Sequence, residues 1–179
     1  MTDRVLVAGV GNVFLGDDGF GGEVARRLLA DGGVPDGVKV EDYGIRGVHL
    51  AYEMLEPYDL VVLVDAVSRG EPPGTVTLIE PDLGEFEEAA PHVAAGESPL
   101  VDAHSMTPGS VFALVRAMGG RPSRVLVVGC EPAEVVERMG LSPVVEEAVG
   151  EAARTVLDLV REDVGVTASR AAGRPGKEE

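Results

Sequence analysis

The chain has 179 residues, a length that fits one compact domain burying about 70% of the surface its unfolded chain would expose. Its 15 Lys and Arg residues against 31 Asp and Glu residues give a formal net charge of −16, which repels phosphate backbones and argues against a nucleic-acid partner. The single cysteine, Cys130, excludes an internal disulfide. The sequence has no signal-peptide pattern, and no apolar run approaches the roughly 20 residues that a membrane helix needs. We therefore expect a cytoplasmic protein with no membrane insertion.

Short β-branched runs alternate with amphipathic stretches along the chain. The first half predicts, in order, strand Val5–Val10, helix Gly19–Ala30, strand Val38–Tyr43, helix His49–Leu55 and strand Leu60–Val64. The second half predicts strand Thr75–Ile79, a helix opened by Thr107 and Pro108, strand Arg124–Val128 and a helix from Pro143 to about Arg161. This alternation is typical of an α/β fold with three layers, in which a mostly parallel sheet has helices on both faces.

Two segments break the periodic pattern. Residues 82–102 are acidic and irregular, and such a long loop in a compact domain either serves a function or is simply solvated. The segment from Asp163 to Glu179 has small and charged residues without periodicity, which predicts a disordered tail. We therefore expect a single domain over residues 1–162, followed by a tail over 163–179.

Ligands of parallel α/β sheets bind beyond the carboxyl ends of the strands, so residues at those positions are the first candidates for a site. Asp17 and Asp18 follow the first strand, Asp65 ends the third, and His104 precedes the helix opened by Thr107. Asp18, Asp65 and His104 together offer mixed oxygen and nitrogen ligands that suit zinc, nickel or a related ion. The simpler interpretations are helix capping by the aspartates of the first loop, a polar strand end and a hydrogen-bonded histidine.

Other chemistries fit the sequence less well. Gly9-Val10-Gly11 begins like a dinucleotide fingerprint, but Phe14 stands where the third glycine belongs. The paired carboxylates at the start of the following helix also oppose a phosphate, which disfavours a flavodoxin-like nucleotide binder. Ser105 lies outside any Gly-x-Ser-x-Gly elbow, and a lone Cys130 at a strand end is typical of a small packed residue.

Taken in order, four segments resemble the hydrogenase maturation protease family. They are Gly9-Val10-Gly11-Asn12 with Asp17-Asp18-Gly19-Phe20-Gly21, then Val64-Asp65-Ala66, then His104-Ser105, then Gly129-Cys130-Glu131-Pro132 with Gly140-Leu141-Ser142-Pro143. The resemblance implies a twisted five-stranded sheet flanked by helices, with Asp18, Asp65 and His104 at the metal-contacting positions. Many members of the family have glutamate at the first of these positions, so the shorter Asp18 moves the carboxylate back by one carbon–carbon bond.

The resemblance also implies an unusual peptidase activity. Its substrate is the precursor of a [NiFe] hydrogenase large subunit, which already carries nickel near its C-terminus and loses the peptide beyond it. Nickel is then part of the substrate, and no tightly bound cofactor of the enzyme's own is expected. Two alternatives stay open on the residues alone: a metallohydrolase that holds its own divalent ion at Asp18, Asp65 and His104, and a non-catalytic protein that binds the hydrogenase precursor.

Overall fold

The computed structural model describes residues 4–84, 108–121 and 124–172, and the side chains of the last helix as far as residue 165. Within these ranges five strands form one sheet, and four α-helices pack on it. The elements in chain order are β1 Val5–Val10, α1 Phe20–Asp31, β2 Val38–Gly44, α2 Gly47–Glu53, β3 Leu60–Ala66, β4 Val76–Ile79, α3 Pro108–Ala117, β5 Val125–Cys130 and α4 Pro143–Ala172.

The sheet has the strand order β2-β1-β3-β5-β4, in which only β4 runs antiparallel to its neighbour. The chain moves from β1 to β2 on one side and then crosses to β3 on the other, so the strand order reverses between β1 and β3. A crevice forms at such a reversal, because the connections that leave the two strands diverge to opposite faces of the sheet. The predicted mostly parallel sheet is confirmed.

Both faces of the sheet are covered, because alternate residues of each apolar strand point to opposite sides. In β1, Val5 and Val7 belong to the core beneath α1 and α4, whereas Leu6 and Ala8 belong to the core beneath α2 and α3. All four of these side chains are fully buried. The predicted three-layer architecture is therefore confirmed, and the near-continuous apolar runs of β1, β3 and β5 reflect burial on both faces.

Two glycines allow α1 to pack directly on the strands that border the crevice. A Cβ atom on Gly21 would lie 2.1 Å from the carbonyl oxygen of Val64 and 2.4 Å from that of Val10. A Cβ atom on Gly9 would lie 2.3 Å from the carbonyl oxygen of Gly21. No side chain fits into these gaps, so the glycines fix how closely the start of α1 approaches the ends of β1 and β3.

The last helix is longer than the sequence pattern predicted. The prediction ended it near Arg161 and placed a disordered tail from Asp163, but α4 continues to Ala172. Alanine and arginine favour a helix, and Val164 still packs against the core, so the helix continues through Gly165 to the last described residue, Ala172. The predicted end of the helix near Arg161 is therefore wrong, whereas the domain boundary at 162 and the tail stay predictions, and 173–179 lie outside the described residues.

The remaining boundaries agree with the prediction to within two residues, and β1 matches it at both ends. Pro108 is the first residue of α3, but its predicted cap Thr107 lies outside the described residues, as does most of the acidic segment 82–102. None of the helices in the described part of the chain combines the length and the apolar character that crossing a bilayer requires.

Candidate active site

The candidate site lies at the carboxyl ends of β1 and β3, where the strand order reverses. β1 leads into a loop of residues 11–15 and then a 3-10 turn at Gly16–Gly19, which carries Asp17 and Asp18. Asp65 is the sixth of the seven residues of β3. β3 extends past the predicted end at Val64 because pairing with β5 continues from Asp65 opposite Gly129 to Ala66 opposite Cys130.

Asp65 is a nearly buried carboxyl group, with 6% of its surface exposed. Burial is the main cause that raises the pKa of Asp65 well above its usual range, and the neighbouring charge of Asp18 raises it further. A hydrogen bond from the backbone N–H of Ala66 acts in the opposite direction without cancelling these effects. Asp65 therefore keeps a proton at pH values where an ordinary aspartate is ionised, as catalytic carboxyl groups often do.

Asp18 is half-buried and closes the loop that follows β1. Its Oδ2 accepts a hydrogen bond of 2.8 Å from the backbone N–H of Asn12. The Asn12 side chain in turn accepts one of 3.0 Å from the backbone N–H of Phe14. These two bonds hold the loop that positions Asp18, and they assign Asn12 to orienting this loop.

Gly11 brings the two aspartates to the same place. A Cβ atom on Gly11 would lie 1.8 Å from the carbonyl oxygen of Asp18 and 3.7 Å from Oδ1 of Asp65, so both atoms lie within 4 Å of one point. Gly11 also has φ = 126°, which only glycine adopts without strain. The charge of Asp18 also raises the pKa of Asp65, so the structure places two of the three predicted site residues close together. His104 lies outside the described residues, and its place in the site stays a prediction.

Asp17 differs completely from its neighbour. It is fully buried, and its carboxylate accepts four hydrogen bonds from the segment after β5: from the backbone N–H of Ala133 (2.8 Å), Glu134 (3.0 Å) and Ser142 (2.6 Å) and from the Ser142 hydroxyl (2.9 Å). Burial alone would raise the pKa of Asp17, but these bonds outweigh it and lower the pKa below its usual value. Asp17 therefore connects the turn after β1 to the segment between β5 and α4, and it does not cap a helix. The sequence did not reveal this role.

Cys130, the lone cysteine considered from the sequence, does not contribute a reactive group. Cys130 is fully buried, and burial, followed by the charge of Asp17, raises the pKa of its thiol to about 11. A thiol of this kind is a packed residue rather than a nucleophile.

The described residues do not form a complete metal centre. Among them, no group of three or more His, Cys, Asp or Glu side chains is placed to hold a metal ion. A transition-metal ion held by the carboxylates of Asp18 and Asp65 would need further ligands from another residue, a water molecule or a bound substrate.

Comparison with known proteins identifies what the chain is similar to. A family model described as hydrogenase maturation protease matches residues 23–159, a range that begins after Asp18 and includes Asp65. The chain is 34% identical over 158 residues to the hydrogenase expression/formation protein HupD of Rhodobacter capsulatus, covering 85% of this chain and 70% of that protein. It is 29% identical over 159 residues to the hydrogenase 2 maturation protease of Escherichia coli, covering 89% and 92% of the two chains.

The fold agrees with this similarity. The structure of the hydrogenase maturating endopeptidase HybD from Escherichia coli matches with a TM-score of 0.67 and 28% identity, over 89% of this chain and 93% of that one. A mixed five-stranded sheet covered by helices is thus common to both proteins.

Proposed function

Because the chain belongs to the hydrogenase maturation protease family and is a hydrogenase maturation endopeptidase, we propose that it recognises nickel in its substrate through Asp18, Asp65 and His104. The substrate is a [NiFe] hydrogenase large-subunit precursor with nickel inserted, and the reaction removes the C-terminal extension. The observation that carries this proposal is the nearly buried Asp65 at the reversal of strand order, close enough to Asp18 for the charge of Asp18 to raise its pKa.

The properties of the two aspartates suit a metal that arrives with the substrate. Before the substrate binds, burial and the charge of Asp18 raise the pKa of Asp65, so its protonated form persists to higher pH than that of an ordinary aspartate. A divalent ion beside this carboxyl group stabilises the ionised form, so binding of the metal releases the proton. Nickel that is bound to the precursor brings ligands of its own, and the enzyme then needs to add only a few.

Hydrolysis of the scissile amide requires a base for water and an acid for the leaving amine. Water adds to the carbonyl carbon while a carboxylate takes one of its protons, and the C–N bond then breaks as the amine nitrogen receives a proton. A metal ion next to the amide polarises its carbonyl or the attacking water. Among the described residues at this site, Asp18 lies close enough to Asp65 for its charge to raise the pKa of Asp65, so the two carboxyl groups can share these roles, and the base is not assigned between them.

Substitution of the three proposed residues tests the site. We expect Asp18→Ala, Asp65→Ala and His104→Ala each to slow trimming of nickel-loaded precursor by about 100-fold or more, the size of effect typical of a lost proton-transfer or metal-contacting group. The measurement is the intact mass of the precursor over time. Asp59→Ala is the matched control, because Asp59 is an exposed carboxylate directly before β3 and thus lies at the amino-terminal end of this strand, away from Asp65.

The outcome that contradicts the proposed site is full activity in all three variants. A separate metal analysis addresses the alternative in which the enzyme holds its own ion. Protein purified without added metal is expected to contain far less than one equivalent of any transition metal, and a stoichiometric, tightly held ion would favour an ordinary metallohydrolase.

A further inference from the structure

Two loops beside the candidate site expose four large apolar side chains. Phe14 lies in the loop after β1 and is 64% exposed. Val135, Val136 and Met139 lie in the segment between β5 and α4 and are 50%, 45% and 67% exposed. We refer to these four residues as the apolar loop patch. Single exposed apolar residues are common, but several on adjoining segments mark a surface that binds something.

The two loops are held together by backbone hydrogen bonds. The N–H of Arg138 donates to the carbonyl oxygen of Phe14 at 3.0 Å, and the N–H of Gly16 donates to the carbonyl oxygen of Arg138 at 2.8 Å. Asp17 adds its four hydrogen bonds to the same pair of segments. The apolar side chains are therefore exposed from a well-anchored surface, which presents them to a partner without a large ordering cost.

The apolar loop patch adjoins the proposed site. Phe14 is linked to Asn12 by one hydrogen bond, and Asn12 is linked to the Asp18 carboxylate by another. A polypeptide that reaches Asp18 therefore comes next to the loop that carries Phe14. Bound substrate is the molecule that necessarily approaches this edge of the sheet.

The charge of the surroundings restricts the partner further. Glu134 and Glu137 are exposed within the same segment as the apolar residues. The Nη1 atom of Arg138 lies 3.5 Å from Oε2 of Glu134. The whole chain carries a formal charge of −16, so two copies repel each other and a second copy is a poor occupant. An apolar segment flanked by basic residues complements both the patch and its acidic rim.

We propose that the apolar loop patch docks an apolar, basic-flanked segment of the hydrogenase precursor, and that this contact determines affinity rather than the rate of hydrolysis. The proposal rests on the proposed function for the identity of the partner. It assigns Phe14, Val135, Val136 and Met139 to substrate binding, whereas Asp18 and Asp65 act on the reacting end.

Binding to an inactive enzyme tests the patch independently of cleavage. The measurement is the Kd of nickel-loaded precursor for the Asp65→Asn protein, with and without the further substitutions Phe14→Ser, Val136→Ser and Met139→Ser. We expect these three to weaken binding by about tenfold or more, as the loss of central apolar contacts does elsewhere. The matched control is Leu29→Ser with Leu78→Ser, two residues 59% and 47% exposed on other elements, and it is expected to change Kd by less than about twofold.

In the active enzyme the same three substitutions are expected to raise KM with little change in kcat, the pattern of lost uniform binding. Met139→Ser alone, at the most exposed position, keeps the test valid if the triple variant unfolds. An unchanged Kd in a folded variant overturns the proposal. So does sedimentation showing that the wild-type protein is a dimer and the patch variant a monomer, because the occupant is then a second copy. If the wild-type protein trims nothing, the proposed function fails, but the binding result still decides the role of the patch.

Discussion

Replacing Asp65 with asparagine is expected to make the protein more stable at neutral pH and to abolish trimming. Folding raises the pKa of Asp65 above 3.8, the ordinary value that applies to the unfolded chain. At pH values between the unfolded-state pKa and the folded-state pKa, the folded protein therefore binds more protons than the unfolded chain. Stability therefore falls as pH rises through this window, by about 1.4 kcal/mol for each unit of pKa difference. Asparagine carries no charge, so the variant does not lose this stability.

Urea unfolding of both proteins as a function of pH measures the effect. The free energies of unfolding of wild-type and Asp65→Asn proteins should be similar near pH 4 and diverge toward neutral pH, with the variant more stable. Asp59→Asn, which changes an exposed carboxylate, should show no such divergence. The prediction would be contradicted if the variant were less stable than the wild type at neutral pH. Buried Asp65 would then not lower the stability of the folded protein, as a carboxyl group kept for function is expected to do.

Replacing Asp17 with alanine is expected to destabilise the protein by roughly 3–5 kcal/mol, because several buried donors lose their acceptor at about 1–3 kcal/mol each. Three backbone N–H groups and the Ser142 hydroxyl would lose their acceptor in the interior. The pKa of Asp17 is lowered in the folded state, so its contribution is present above the ordinary pKa of 3.8 and is lost as pH falls through the folded pKa. Wild-type stability should therefore drop steeply in acid, whereas the drop in the Asp17→Ala protein should be shallower.

The adjacent aspartate provides the control for this experiment. Asp18 is half-buried and, among the residues that the structure describes, accepts one backbone hydrogen bond, from Asn12, so Asp18→Ala should cost no more than about 1.5 kcal/mol. Urea unfolding at neutral pH compares the two variants, and the mass assay compares their trimming. Equal destabilisation by both substitutions would contradict the division of the pair into a structural and a reactive residue.

This division shows where sequence patterns stop being informative. Strand β1 and the apolar part of β3 were predictable because burial on both faces requires continuous β-branched runs. Asp18 and Asp65 follow or end these strands, and the carboxyl ends of parallel strands lie on the same side of the sheet. The two aspartates were therefore predictable as neighbours. The function of Asp17 was not predictable, because its partners lie 116 to 125 residues away and neither spacing nor composition connects them.

Boundaries were harder to predict for a related reason. Whether β3 ends at Val64 or Ala66 depends on how far β5 pairs with it, which is a property of two segments and not of one. The length of α4 depends on Val164 finding a place in the core, although the local sequence of small and charged residues resembles a tail. Similarly, the apolar loop patch becomes visible only when hydrogen bonds place the segment of Phe14 beside that of Met139.

The dependence of trimming on nickel tests the proposed function most directly. Purified large-subunit precursor is prepared with and without nickel and incubated with the wild-type protein, and its intact mass is followed. We expect the nickel-loaded precursor to lose its C-terminal peptide and the nickel-free precursor to stay at full length, because Asp18 and Asp65 then have no metal to contact. Trimming of both precursors at the same rate would contradict nickel recognition.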